Sequence, residues 1–375
     1  MTPSFTPLKI EAAELRIVNL PLLTPFKVSN QTLTDKTFPL LTLRAQGVEG
    51  ISEGVMDPYP DYLEETIPGA LGFLRDLILP QIVGKTFANP AELTALMAPW
   101  RGHRMSKALV ELAFWDLWTK ALGLPLKDAL GGVRDAVPVG VSLGITDIDT
   151  TLERVGAAVE AGYKRIKLKV AQGHDIALLE AVRSAYPTVK LTVDANTAYG
   201  LADLATLRAM DAFDLDYIEQ PLAVDDIHDH ALVQREIATA LCLDESIRTA
   251  ADCRKALASG AARVINIKVG RVGGYTAARA IHDVSEAFGA PVWCGGMLES
   301  GIGRAHNIHL ASLPNFTKPG DTSSASRYFH RDIINEPLEA TDGMMPVPGN
   351  GAGIGVTLDL PFLDTVTQLR EEIRS

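Results

Sequence analysis

From about residue 137 onward, short apolar runs recur along the chain with amphipathic segments between them. VPVGVSLGI, RIKLKV, KLTVDAN, YIEQP, ALCLDES, VINIKVG and PVWCGG have the length and composition of strands. DTTLERVGAAVEAG, DIALLEAVRSAY and GYTAARAIHDVSEAFG space their apolar residues as helices do, and many such segments stop at Gly or Pro. Strand then helix, repeated seven times with short connections, predicts parallel strands in βα units. Either an open doubly wound sheet or a closed barrel would satisfy that rhythm. Within it, RIKLKV puts Ile166, Leu168 and Val170 on one face and Arg165, Lys167 and Lys169 on the other. A water-facing edge strand explains such a cationic face, and so does a strand looking into a site.

The first 128 residues have a different pattern. Strand-like alternation in KIEAAELRIVNLPL and PLLTLRAQG gives way to helices, an order that predicts a compact α+β domain ahead of the repeats. SKALVELAFWDLWTKALG is apolar around most of its circumference and is expected to be buried on several sides. Two turn-rich stretches, LLTPFKVSNQTLTDKT and GVMDPYPDYLEET, are candidate lids or specificity loops. After about residue 323 the rhythm stops. In MMPVPGNGAGIGVTLDLP the glycines do not open a helix after a strand, so the segment reads as a turn leading into a strand GVTLDL. GRVGG at 270–274 likewise lacks the dinucleotide-binding spacing.

The polar residues decide between sheet and barrel. Lys169, Asp194, Glu219, Asp244 and Lys268 stand near the ends of successive strands, at intervals of 25, 25, 25 and 24 residues. Each interval is one βα unit, so the five occupy equivalent heights. In a closed barrel the inward-pointing strand ends converge at the C-terminal mouth; along an open sheet the outer ones could not share a ligand. A barrel is therefore expected. A single Asp in this position is commonly a helix N-cap, but three carboxylates on adjacent strands make an all-oxygen site suited to Mg²⁺ or Mn²⁺. Asn196, two residues past Asp194, faces the same way and could orient a ligand. Lys169 and Lys268, on strands two and six, would face each other across the mouth. Lys167 lies about 6.5–7 Å from Lys169 along one strand face, and its charge together with burial is expected to lower the Lys169 pKa toward that of a usable base. A structural ion-pair network is the alternative use of such lysines. A cation between two opposed bases suits removal of a proton α to a carboxylate and its return on the other face. One base suffices if a β-hydroxyl is eliminated instead.

Length and composition narrow the setting. A chain of 375 residues suggests two domains, or a barrel with a smaller one. A net charge of −11 argues against nucleic acid and acidic membranes as main partners. Three cysteines without metal or redox spacing suit a reducing cytosol, and the N-terminus lacks the basic and apolar regions of a signal peptide. A cytoplasmic protein is expected. His306 and His309 read as packing or surface residues of an amphipathic helix, and Cys242 and Cys294 as small core residues.

At these residues the sequence resembles the enolase superfamily over essentially its whole length. A Lys or His base with Mg²⁺ is a known pattern of that superfamily. Lys167-Leu168-Lys169 matches its KxK motif, with Lys169 as acid/base and Lys167 as its electrostatic neighbour. Asp194, Glu219 and Asp244, in VDAN, IEQP and LDES, match the metal triad. Lys268 in INIKVGRVGG matches the muconate-lactonising subgroup. GGMLESGIGRAHN and PGDTSSASRYF look like the branch shared by N-acylamino acid racemases and o-succinylbenzoate synthases. The resemblance implies a modified (β/α)₇β barrel at residues 129–323 and an α+β capping domain at 1–128. It also implies a C-terminal segment, 324–375, that returns to the cap. Dipeptide epimerases carry an Asp-x-Asp pair at strand eight; here the sequence is Asp321-Thr322-Ser323, which fits an amine capped by an acyl group. Ser142, Phe26, Met56, Met297, Glu299 and Asp321 would line the substrate pocket by the same match, although a helix N-terminal carboxylate is an equal account of Glu299. The implied activity is Mg²⁺-dependent, two-base racemisation of N-acyl, including N-succinyl, amino acids through an enolate. The alternatives are syn dehydration to o-succinylbenzoate, both activities together, or a non-catalytic carboxylate-binding barrel. A homo-oligomer, with an octamer as one form, is also implied.

Overall fold

Residues 7–27, 32–349 and 351–374 are described by the computed structural model, the side chains of Phe26 and Lys27 excepted. After a two-residue strand at Leu8–Lys9, three longer antiparallel strands build the cap sheet: β1 (Ala12–Lys27), β2 (Thr32–Ala45) and β3 (Val48–Glu53). Helix α1 (Arg104–Leu122) packs against β3 and is buried along most of its length, as its apolar circumference predicts. Gly50 permits this close approach, because a Cβ there would lie 2.2 Å from the Ala113 carbonyl oxygen.

Seven parallel strands follow, each leading into a helix: β4 (Val141–Leu143), β5 (Ile166–Lys169), β6 (Leu191–Asp194), β7 (Ile218–Glu219), β8 (Leu241–Leu243), β9 (Val264–Ile267) and β10 (Val292–Cys294). They pair strictly in chain order. The segment 316–321 lies between the last strand and the first. Phe316 bridges to Val292 and Gly320 to Val139, the Asp321 amide donates to the Cys294 carbonyl (2.9 Å), and the Gly140 amide donates to that of Gly320 (2.8 Å). The ring is thus closed by an extended stretch in the eighth position. Several of the helices begin at side-chain caps: Asp147 accepts the Thr150 amide at 2.8 Å and Asp226 the Asp229 amide at 2.8 Å. Two of them matter for the site, α2 (Tyr275–Ala287) after β9 and α3 (Gly301–Ala311) after β10. Every residue of α3 is buried, so it is not the amphipathic helix expected, and His306 and His309 are core residues. Their side chains are spent on backbone carbonyls, Ile51 at 2.9 Å and Ile354 at 3.1 Å.

Strand β5 is an interior strand with all four residues buried, which removes the water-facing explanation of its lysines. The predicted strand GVTLDL does not form; Leu358 makes one isolated bridge, and Asp359 caps a helix that starts at Leu360 with Pro361 in its first turn. The tail strand is instead β11 (Thr367–Arg374), which pairs antiparallel with β1 and so brings the C-terminus back onto the cap sheet. Among the described residues no helix is long and apolar enough to cross a membrane.

Candidate active site

Parallel register puts the key side chains at one level: Lys169 is the register partner of Asp194, and Asp194 of Glu219. Asp244 and Lys268 follow directly after β8 and β9. All five are buried, the least so Lys169 at 8% exposure. Lys169 Nζ donates to Asp194 Oδ2 (2.7 Å) and to Asn196 Oδ1. Lys167 Nζ donates to Asp321 Oδ2 (2.7 Å) and Glu219 Oε2 (3.1 Å) and stands 3.3 Å from Asp194. Lys268 Nζ lies 2.8 Å from Asp244 Oδ2, and Arg271 pairs with the other oxygen. Asn266 donates to Glu219 Oε1 at 2.8 Å.

The charges set one another. Burial alone would favour the neutral amine of Lys167, but Asp321, Glu219 and Asp194 outweigh it and hold the ammonium well above its ordinary range. For Lys268, burial is likewise overcome, by Tyr62, Glu245 and Glu219. Both groups are therefore held as ammonium ions, because each has more acid than base around it. Burial raises Glu219, with Asp194 adding to it; in Asp194 the charges of Lys169 and Lys167 overcome burial and hold the carboxyl low.

Above this floor lies a cavity of about 1170 Å³, its open mouth included. Of the residues expected around it, Ser142, Met297, Glu299 and Asp321 line it together with Lys167, Lys169, Asp194, Asn196 and Lys268. Asp321 does more than line: it bonds Lys167 and pairs with buried Arg165 at 2.7 Å. Met56 does not line it: the side chain is fully buried in an apolar cluster with Ile17 and Ile67, against which the wall residues Tyr62 and Met297 pack. The Phe26 side chain lies outside the described residues.

The sequence pattern did not single out the cap's contribution. Lys36, Asp57 and Tyr62 all face the cavity. Tyr62 Oη accepts from Lys268 Nζ (2.9 Å) and donates to Asp244 Oδ2 (3.4 Å), with its ring 4.7 Å from the same ammonium. Both lid candidates thus supply wall residues, but nothing in their composition tells Tyr62 from Tyr59, which is exposed. Arg271 stood in GRVGG, three residues past Lys268, where helical spacing could have marked it. Glu53, at the end of β3, accepts the amides of Ser300 (3.0 Å) and Gly303 (3.2 Å) and so ties the cap to the first turn of α3.

The donor set fits a hard divalent cation. Asp194, Glu219 and Asp244 offer only oxygen, burial and the charge of Asp194 disfavour the ionised form of Glu219, and Glu245 Oε2 is buried beside them without a hydrogen-bond partner among the described residues. Among the described residues no three acidic, imidazole or thiol groups form a ready coordination shell, since Lys169, Lys268 and Arg271 stand on the carboxylate oxygens.

Fold and site together define a capped α/β barrel of the enzyme type, with opposed lysines above a carboxylate triad. Residues 12–131 match the family model described as mandelate racemase / muconate lactonizing enzyme, N-terminal domain, and residues 150–362 the one described as enolase C-terminal domain-like. The chain belongs to this family of the enolase superfamily, as its motifs implied. It is 54% identical to an N-succinylamino acid racemase of Thermus thermophilus over 361 residues, 96% of this chain and 98% of that protein. An o-succinylbenzoate synthase of Geobacillus kaustophilus is 46% identical, with 96% of each chain covered. A crystal structure of an enolase-superfamily member from Listeria innocua superposes with a TM-score of 0.95 at 40% identity, covering 98% of this chain and 99% of that one.

Proposed function

We propose that this enzyme racemises N-acylated α-amino acids, N-succinyl derivatives among them, by passing the α-proton between Lys169 and Lys268. The observation that carries this is the pair of lysines on the second and sixth strands of one ring, both facing one cavity above three carboxylates. A divalent cation held by Asp194, Glu219 and Asp244, Mg²⁺ or in its place Mn²⁺, would supply the local positive charge that the lysines supply here and offset the second negative charge of the substrate enolate. Lys169 takes or returns the proton on one face of the α-carbon and Lys268 on the other. Lys167, pinned by Asp321 and Glu219, keeps its charge throughout and helps hold the carboxylate end of the substrate. Asn196 fixes Lys169 from the side, and its Nδ2 is anchored on Glu245 at 3.1 Å.

Dehydration to o-succinylbenzoate is the second reading, favoured by relatives of that name at 41–46% identity. It begins with the same proton removal, and one chain could perform both. We further propose a cytoplasmic homo-oligomer. Proton NMR in D₂O with Mg²⁺, following N-succinyl-L-phenylalanine beside the o-succinylbenzoate precursor, separates the readings. Fast α-proton exchange with loss of optical activity, against slow dehydration, is expected. Fast dehydration with weak exchange would make the chain a lyase. In Lys268→Ala, exchange should persist from one enantiomer and vanish from the other; equal exchange of both contradicts the opposed-base arrangement.

A further inference from the structure

The three carboxylates stand where the sheet is least able to hold them. Strand β7 stops at Glu219, the chain turns out of the sheet at Gln220 with a φ of 36°, and Pro221 has no amide to give. Just past Asp194, Asn196 and Thr197 are also left-handed, with φ of 40° and 67°. Residues other than glycine, a β-branched threonine above all, keep such a backbone only where their surroundings over-determine it. The fixed point of these surroundings is Gln220, which is fully buried. Its main-chain carbonyl accepts the Thr197 amide (2.9 Å), between the Glu219 carbonyl on Ala195 (3.0 Å) and the Pro221 carbonyl on Tyr199 (3.0 Å). Three consecutive carbonyls thus take amides from alternate residues, which crowds the end of β6 into a turn and brings the Asn196 amide back onto Asp194 Oδ1 (3.0 Å). On the other side the Gln220 amide bonds the Cys242 carbonyl (2.8 Å), and its side chain then continues the ladder to β8. Oε1 accepts the amides of Asp244 (3.1 Å) and Ser246 (3.2 Å), as a backbone carbonyl of a longer strand would. Nε2 donates to Ser246 Oγ (2.7 Å) and the Leu222 carbonyl (3.1 Å). Only an amide nitrogen can serve that carbonyl and only an amide oxygen those N–H groups, so the side chain has one orientation.

We infer that Gln220 is the positioning residue of the carboxylate triad: its main chain fixes the end of β6 that carries Asp194, and its side-chain amide fixes the end of β8 that carries Asp244. Glu219 precedes it directly, so one residue sets the spacing of all three before a cation arrives. This rests on the triad being the cation site. A spacing set in advance favours a small cation of strict geometry, Mg²⁺, over a larger one that tolerates irregular coordination, Ca²⁺. A residue that merely packed the strand ends would affect stability and leave the ratio of the two affinities unchanged.

That ratio is the test. Calorimetric titration with MgCl₂ and with CaCl₂, no substrate present, measures it without any turnover. Gln220→Met keeps the length of the side chain and removes its acceptor and donors. It should weaken Mg²⁺ binding about ten-fold, the low end of the 10- to 100-fold that loss of a ligand-orienting group costs, and Ca²⁺ binding much less. Ser246→Ala leaves both amides on Gln220 Oε1 and removes only a partner of Nε2, so it should shift the ratio the same way by a smaller factor. Where Gln220→Met does not fold, Ser246→Ala decides. A lower melting temperature with both affinities unchanged would make Gln220 a packing residue. Equal weakening of the two cations would mean that it holds the site together without setting its spacing, and either result overturns the inference. An unmodified enzyme that binds neither cation would remove the triad as a cation site and the inference with it, whereas tight Mg²⁺ binding that both variants keep would remove the inference alone.

Discussion

At the scale of single residues, the contact that most distinguishes the two candidate bases is Tyr62. Lys169 is held by residues of the barrel alone, Asp194 and Asn196, while Lys268 receives a hydroxyl and an aromatic face from the cap. Tyr62→Phe removes the hydroxyl and leaves the ring, so the cation–π contact survives and two hydrogen bonds are lost. A hydrogen bond to a charged group contributes roughly 1.5–3 kcal/mol, enough for about a ten-fold or larger effect on the step that uses it. Exchange on the Lys268 face should therefore slow by about ten-fold or more, with exchange on the Lys169 face much less affected. Following deuterium uptake into each enantiomer separately checks this. Equal slowing on both faces would mean that Tyr62 shapes the cavity as a whole.

At the scale of elements, strand ends and helix starts position the chemistry, and they differ in how plainly the sequence announces them. The five charged strand ends were legible because a βα unit repeats at a near-constant length and each charge interrupts an apolar run. Strand β5 was legible as a strand but ambiguous in exposure, since alternation cannot distinguish a face turned to water from one turned to buried acids. The cap residues were illegible for a different reason: which side of an irregular segment faces the cavity is set by β1 and β2 in the cap sheet, not by local pattern. Glu53, at the end of β3, was equally illegible, because the amides it accepts belong to the start of α3, far along the chain. Its carboxyl is pushed up to about 8, chiefly by burial and with Glu299 adding to it, against the Ser300 hydrogen bonds and the charge of Lys36. A folded-state pKa above the unfolded value means that the folded chain holds the proton more tightly. The associated stability is complete below the ordinary glutamate pKa and is lost as pH rises through about 8. Glu53→Gln should flatten the fall in melting temperature between mildly acidic and mildly alkaline pH, even if it lowers stability overall by losing an acceptor at α3. An unchanged slope would show that Glu53 does not carry the pH dependence.

At the scale of the whole molecule, cap and barrel are joined by buried cap carboxylates on barrel amides, Glu111 on Tyr275 (2.5 Å) and Thr276 (3.0 Å) at the start of α2, and Glu53 on α3. The returning strand β11 completes the cap sheet, with Arg75 paired to Glu371 and Arg370 to Glu14. The tail strand escaped the sequence pattern because TQLREEIR alternates as an edge strand does and carries few apolar residues to announce it. The catalytic floor is thus held between two bodies, and a ligand that stabilises the floor should stabilise both. A divalent cation bound only by the folded chain adds about 2.7 kcal/mol at a hundred times its dissociation constant. MgCl₂ should therefore raise the single melting transition, and Asp194→Asn, Glu219→Gln or Asp244→Asn should each abolish most of the rise. A chain of net charge −11 is also stabilised by simple screening of its self-repulsion. NaCl at matched ionic strength provides the comparison. If NaCl reproduces the rise, or if the three variants keep it, the cation acts on the whole surface and the carboxylate triad is not its site. If the rise is specific to MgCl₂ and lost in the variants, those three carboxylates hold the cation, whatever the substrate proves to be.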